Sequence, residues 1–221
     1  DVNNGQAEWT GTTIGRTSTL SEVGNVVETN LCATPSFETC DLSGWVQSGW
    51  TYSKVETLAP YSGKNHFSCT PTNSGASDIK STPQPVVPGT EYVVAAYVWS
   101  NIDLPMYNNS GDGAWLGLFD APTIVDHPVT LEQSQGDSYT LLTSTVTVPA
   151  GMTSAGLRFA VILSKAGPKK FLRVDSVGFY TASDWAAMQA LGITWFSGDT
   201  MTPEIAPLVD SYANVMIRGA F

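Results

Sequence analysis

The chain is 221 residues long, 42% hydrophobic but only 14% charged, with a formal net charge of −10 and a pI near 4.4. That length and apolar share predict one large domain with a sizeable core and a small appendage, under a polar but largely uncharged surface. The acidic balance excludes nucleic acid as a partner, because phosphate binding needs clustered Lys and Arg, and no stretch approaches the ~20 apolar residues of a membrane span.

Residues 1–24 are polar, with Asn3-Asn4-Gly5 as a turn and Thr-rich text through Thr19. No secretory signal is read there, and Asp1 in place of an initiator methionine predicts the start of a processed or excised piece of a longer polypeptide. From Asn30 to about Thr181 the text is a succession of short strands between turn clusters. The clearest is Glu91–Ser100, EYVVAAYVWS, introduced by the turn Pro88-Gly89. Others are expected over Ala114–Phe119, Ser138–Val148, Gly156–Leu163 and Phe171–Tyr180. Period-two alternation puts Val146 and Val148 on one face and Thr145 and Thr147 on the other. Short strands at this spacing, punctuated by Gly and Pro, predict a sandwich or barrel. The basic spot Lys165, Lys169, Lys170 and Arg173 brackets Gly167-Pro168 and reads as a solvated hairpin.

One segment reads as a helix: Ser183 caps it, Asp184 suits its first turn, Trp185, Met188 and Leu191 form its apolar stripe, and Gly192 closes it. Ile193–Phe196 follows as an expected strand, then the turn Ser197-Gly198-Asp199, with Tyr212–Ile217 as a candidate last strand. The chain thus divides into a linking segment (1–24), an all-β sandwich (25–181) and a helix–strand linking segment (182–221). Cys32, Cys40 and Cys69 fit no zinc spacing, which would need a C-x₂₋₄-C pair. Three thiols leave at least one outside any bridge within the chain. Free, partly buried thiols from a reducing cytosol are expected, and a Cys32–Cys40 bridge is the alternative.

Four motifs carry a resemblance. Asn30-Leu-Cys-Ala-Thr-Pro-Ser-Phe-Glu38 followed by Leu42-Ser-Gly-Trp45 resembles the opening of carbohydrate-binding-module jelly rolls. Tyr61-Ser-Gly-Lys-Asn65 is similar to the hairpin that comes next in that family, Pro88-Gly89-Thr90 with Tyr92–Val98 to a central strand, and Leu172–Tyr180 to the closing strand. Together they imply an all-β jelly-roll β-sandwich with a small C-terminal α/β appendage. A second resemblance lies in the flanks. Leu191-Gly-Ile-Thr-Trp-Phe-Ser-Gly-Asp-Thr200 looks like a unit of minor tail proteins from bacteriophages that infect actinobacteria, and Glu8-Trp9-Thr10-Gly11-Thr12 with Arg16–Thr19 resembles the ending of that unit. Here the ending stands at the N-terminus, so residues 1–24 read as the close of one module and 182–221 as the opening of another. Tyr212–Gly219 lacks the W-T-G core, which makes the second copy degenerate or terminal.

The same family resemblance implies a structural calcium between the opening segment and the final strand, at Glu38 and Asp175. Ser176 stands where the family carries a second acid, which lowers the ligand charge. The competing reading is that both carboxylates accept backbone hydrogen bonds. Carbohydrate binding requires exposed rings on which a sugar face can stack. Tyr97 and Trp99 share a face opposite Val94, Ala96 and Val98, and Trp115 and Phe119 share a face of another strand. If Tyr97, Trp99 and Trp115 line the concave sheet they form such a platform; otherwise they are core. Trp45 and Trp50 are assigned to the core or the edge of the opening hairpin.

No catalytic constellation emerges. His66 and His127 have no motif partner, Ser62 lacks the nucleophile-elbow pattern, and nothing selects a pair from Asp112, Asp120, Asp126 and Glu132. The expectation is a non-enzymatic bacteriophage virion protein, exposed on the particle exterior after assembly in the host cytoplasm and placed in the tail. Its expected partners are other virion proteins, further copies of itself and a host-surface glycan. A purely structural decoration or joining subunit is the alternative, as is a sugar-binding module of a secreted glycosidase.

Overall fold

The computed structural model describes residues 8–9, 18–21, 27–32, 34–38, 42–72, 75–104, 112–163, 170–190, 192 and 194–195. Three short strands come first, β1 (Glu8–Trp9), β2 (Ser18–Ser21) and β3 (Val27–Asn30), paired antiparallel in that order. Then follow β4 (Trp45–Ser48), β5 (Trp50–Glu56), β6 (His66–Pro71), β7 (Gly75–Ser81), β8 (Gln84–Pro85) and β9 (Glu91–Ser100). The second half contains β10 (Gly113–Asp120), β11 (Thr123–Val129), β12 (Thr140–Thr147), β13 (Ser154–Leu163), β14 (Leu172–Thr181) and the helix α1 (Ala182–Ala190).

Two antiparallel sheets stack face to face. The front sheet runs β11-β10-β13-β7-β4, with β8 joined to the start of β13, and the back sheet runs β12-β9-β14-β6-β5. This is a jelly-roll β-sandwich: the strand pattern predicts a sandwich or barrel, and the family resemblance implies the jelly roll. Alternation decides which side chains fill the space between the sheets. Leu116 and Leu118, Leu157, Phe159 and Val161, and Ile79 point in from the front; Val94, Ala96 and Val98, Phe67 and Cys69, and Val174, Val177 and Phe179 meet them from the back. On β12 the even positions Leu142, Ser144 and Val146 are buried and Thr143, Thr145 and Thr147 exposed, the alternation read from the sequence. Trp45 lies in the core and Trp50 packs against it, edge-on to Phe67.

The remaining differences from the sequence reading are local. Thr181, not Ser183, caps α1: its Oγ1 accepts the Asp184 N–H at 3.1 Å, because the strand runs into the helix with no intervening turn. Gly192 closes the helix in the left-handed region (φ 72°), its N–H donated to the Gln189 carbonyl. Thr194 and Trp195 are not in a strand; Trp195 turns inward and is buried. Leu191, Ile193, Cys40, the Gly167-Pro168 turn and everything beyond Trp195 lie outside the described residues. Cys32 and Cys69 are both buried.

Candidate functional site

The outer faces of the two sheets differ in what they hold. On the front sheet, Trp115 and Phe119 alternate outward with Gly113 and Gly117, since Ala114, Leu116 and Leu118 point into the core. Trp115 sits between Pro128 on β11 and Ala160 on β13. Its indole lies back along its own strand over Gly113, where a Cβ would come within 2.7 Å of the ring. A missing side chain at 113 therefore makes room for a half-buried ring over the sheet.

Two residues further on, Gly117 plays a second part. Its register neighbours are Asp126 on β11 and Arg158 on β13. With no side chain between them, the Arg158 guanidinium reaches across β10 to Asp126. Arg158 Nε also meets Asp78 Oδ2 at 3.2 Å, Lys80 Nζ meets the same oxygen at 2.9 Å, and Ser48 Oγ donates to Asp78 Oδ1 at 2.7 Å. Burial alone would raise the Asp78 carboxyl, but the hydrogen bonds from Lys80 and Ser48 and the charges of Lys80 and Arg158 outweigh it and hold it below its ordinary value. Lys80 Nζ also sits over the Phe119 ring, 4.7 Å from its centroid. Two cations and two carboxylates thus form a charge-balanced floor beside Trp115. Their hydroxyl- and amide-matching groups can donate to and accept from a polar ligand, while the indole offers a flat apolar face.

The structure does not bring the three predicted platform rings together. β9 and β10 are consecutive along the chain but belong to opposite sheets, so Tyr97 and Trp99 face outward from the back and Trp115 from the front. Tyr97 is buried: Tyr61 stacks on it with ring centroids 3.6 Å apart, and its hydroxyl is hydrogen-bonded to Thr194 Oγ1. Trp99 is half-buried, its indole N–H donated to the Gly136 carbonyl at 2.7 Å and its ring covered by the Arg173 guanidinium at 4.5 Å. Of the three, Trp115 stands on the front sheet, half-buried and beside the charged network. Arg158, Asp78 and Gly117 escaped sequence reasoning, and Asp126 was weighed there only among four acids from which nothing selects a pair. The one available signal was a charged residue amid the apolar run GLRFAVIL.

Glu38 and Asp175 do converge, on the loop between β5 and β6. Glu38 Oε1 accepts the Lys64 and Asn65 N–H groups at 2.8 and 2.9 Å. Asp175 Oδ2 accepts those of Tyr61 and Ser62 at 2.8 and 3.1 Å, and its Oδ1 accepts the Ser176 N–H at 2.6 Å. Gly63 lies against the Glu38 carboxylate in the left-handed region (φ 62°), where any side chain would collide with it. Burial pushes the Asp175 carboxyl well above its ordinary range; the three amides oppose the shift, and the Glu38 charge adds to it. A hard cation beside the pair would oppose that shift by favouring the charged form of Asp175. Among the described residues no third Asp, Glu, His or Cys joins the pair, so main-chain and water oxygens would supply the rest of a calcium shell.

Comparison with known proteins adds likeness of outline. No protein-family model matches the chain, and no curated protein matches it. Among solved structures, the chain is similar to a carbohydrate-binding module, TmCBM61, in complex with β-1,4-galactotriose (14% identity, 69% of this chain and 98% of that one, TM-score 0.47). It is also similar to the CBM22-2 xylan-binding domain of Paenibacillus barcinonensis Xyn10C (14% identity, 67% and 98%, TM-score 0.46). A third likeness is to the enzymatically active domain of bacteriophage CBA120 tailspike protein 4 (16% identity, 68% of this chain but 21% of that one, TM-score 0.48). At these values the sandwich architecture rests on the strand pairings themselves.

Proposed function

We propose that the chain is a non-catalytic glycan-binding module displayed on a bacteriophage virion, and that it binds with the outer face of its front sheet. The observation that carries this reading is the Trp115 ring over Gly113 beside the sunken Arg158–Asp126–Asp78–Lys80 network. A ring fixed against the sheet loses little freedom when a sugar stacks on it. Neighbouring carboxylates and cations, already aligned by one another, match hydroxyl groups. The balance of two positive and two negative groups favours a neutral glycan over an acidic one. The virion setting rests on the phage-tail resemblance of Leu191–Thr200 and Glu8–Thr19, and repeated display would let weak contacts act together. A structural calcium at Glu38 and Asp175 belongs to the same reading; its support is that the two carboxylates reach the same loop between β5 and β6.

Affinity electrophoresis through gels containing neutral or acidic polysaccharides tests the binding face. The expected outcome is retardation by a neutral polysaccharide, weakened about tenfold or more by Trp115→Ala, with the melting temperature of that variant unchanged. No retardation by any polysaccharide, or equal retardation of the variant, would overturn the reading in favour of a structural subunit.

A further inference from the structure

The back sheet carries a second polar cluster, remote from the Trp115 face. Register places Ser68 opposite Arg173, and His66 opposite Glu56. Phe67 and Cys69 point into the core, so His66, Ser68 and Arg173 share the outer face. The loop joining β5 to β6 lies over this face, tied by Tyr61 on Tyr97 and by the Tyr139 hydroxyl donated to the Ala59 carbonyl at 2.9 Å.

Two independent observations point to an occupant. The first is that four polar atoms in this patch are sealed from solvent with no hydrogen-bond partner: both ring nitrogens of His66, Ser68 Oγ and Arg173 Nε. Native interiors leave few such atoms, and a contiguous group of them marks a place where something binds. The Ser68 hydroxyl faces the Glu56 carboxylate closely enough to help lower its pKa without meeting full hydrogen-bond geometry, so the His66 nitrogens and Arg173 Nε carry the observation.

The second observation is a buried charge with a long, exposed match. Arg173 is only 8% exposed. Among the described residues its sole carboxylate contact is Asp137 Oδ1, at 3.5 Å and on a side chain 78% exposed. Its remaining neighbours are the Trp99 and Phe171 rings and the Tyr139 hydroxyl. The nearby acids are turned elsewhere, Glu56 to Lys54 and Tyr52, Asp175 to the amides of Tyr61, Ser62 and Ser176. Buried guanidinium groups are nearly always paired with an anion. An oxyanion here would receive a charge-assisted bond from Arg173 Nε and further bonds from the Ser68 hydroxyl and a His66 N–H.

We propose that this cluster is an oxyanion site: it takes a carboxylate or phosphate group beneath the Thr57–Asn65 loop, with Arg173 supplying the charge and Ser68 and His66 the flanking hydrogen bonds. The site is independent of the glycan-binding reading.

The full chain, labelled with nitrogen-15, is titrated with inorganic phosphate and separately with acetate, at ionic strength held constant with chloride. The Arg173 Nε–H resonance is expected to shift saturably with at least one of them. The melting temperature should rise by about 3–6 °C at roughly tenfold excess over Kd. Arg173→Gln should abolish both effects, and Ser68→Ala should weaken binding about tenfold. Should the Arg173 variant not fold, the Ser68 variant decides alone. Glucuronate and glucose 6-phosphate, with glucose as the blank, distinguish a sugar acid from a sugar phosphate. An Arg173 resonance unmoved by either anion, or a melting shift unchanged by Ser68→Ala, would overturn the proposal and leave the four atoms to ordered water. Trp115→Ala leaves this titration intact, so the two sites succeed or fail separately.

Discussion

At the scale of single residues, His66 gives a readable sign. Its ring is wholly buried, and its pKa falls from 6.5 to about 4; burial is the main cause, the Arg173 charge adds to the fall, and Glu56 opposes it. An unfolded chain therefore takes up a proton between pH 6.5 and 4 that the folded chain refuses. The stability His66 confers by staying neutral is complete above about pH 6.5 and disappears as the pH drops toward 4, by an amount on the order of 3 kcal/mol. Asp175, with its raised pKa, contributes in the opposite sense, so the whole-protein pH profile mixes the two. His66→Gln isolates the histidine. The expected result is a melting temperature that falls less steeply between pH 6.5 and 4 than in the parent, whose own His66 ring signal titrates near 4. A ring titrating near 6.5 would mean that solvent reaches it.

At the scale of elements, the β5–β6 loop shows how a surface segment is held by charge. Two carboxylates from distant parts of the chain grip it from either side, Glu38 at Lys64 and Asn65 and Asp175 at Tyr61 and Ser62. The register of β14 shifts between Asp175 and Gly178, and Ser176 adopts the left-handed region there (φ 49°), its hydroxyl 2.8 Å from that of Ser62. That shift lets Asp175 face outward to the loop while Val177 and Phe179 still point into the core. A calcium ion on this clamp would bind only the folded state. At about a hundredfold excess over Kd it should raise the melting temperature by roughly 5–10 °C. A chelator should reverse the gain, Asp175→Asn should remove most of it, and magnesium should substitute poorly because it keeps its waters. An unchanged melt with no calcium in elemental analysis would leave the two carboxylates as ordinary hydrogen-bond acceptors.

For the whole molecule, what could be read in the sequence follows from what is local. EYVVAAYVWS gives β9 to the residue, because alternation and the Pro88-Gly89 turn are both contained in the text. The inward and outward faces of β10 and β12 came from the same alternation. Which sheet each strand joins is not local, so Trp115 was grouped with Tyr97 and Trp99 although a sandwich separates them. Arg158 likewise gave no hint that its partner lies across an intervening strand at Gly117. Glu38 and Asp175 were paired only through family resemblance, since 137 positions divide them by numbering alone. The sharpest non-local feature is Trp195. The text from 182 onward reads as a linking segment, yet this indole is 1% exposed and donates its N–H to the Val177 carbonyl at 3.0 Å. The Asn30 side-chain amide donates to the same carbonyl at 3.1 Å, so the bulged stretch of β14 is satisfied from both ends of the sandwich. Beside it Met188 of α1 is buried and Trp185 stacks on Tyr180. Trp195→Ala removes a fully buried ring and one of the bonds to Val177, which should cost about 3–5 kcal/mol. For a domain of this size that corresponds to a melting temperature roughly 6–20 °C lower. A chain ending at Thr181 should lose at least as much, because it also uncovers Tyr180 and the Thr194 contact of Tyr97. Calorimetry of the two variants against the full chain decides: melts within about 2 °C of the parent would show that the segment after β14 is a removable linker rather than the seal of the back sheet.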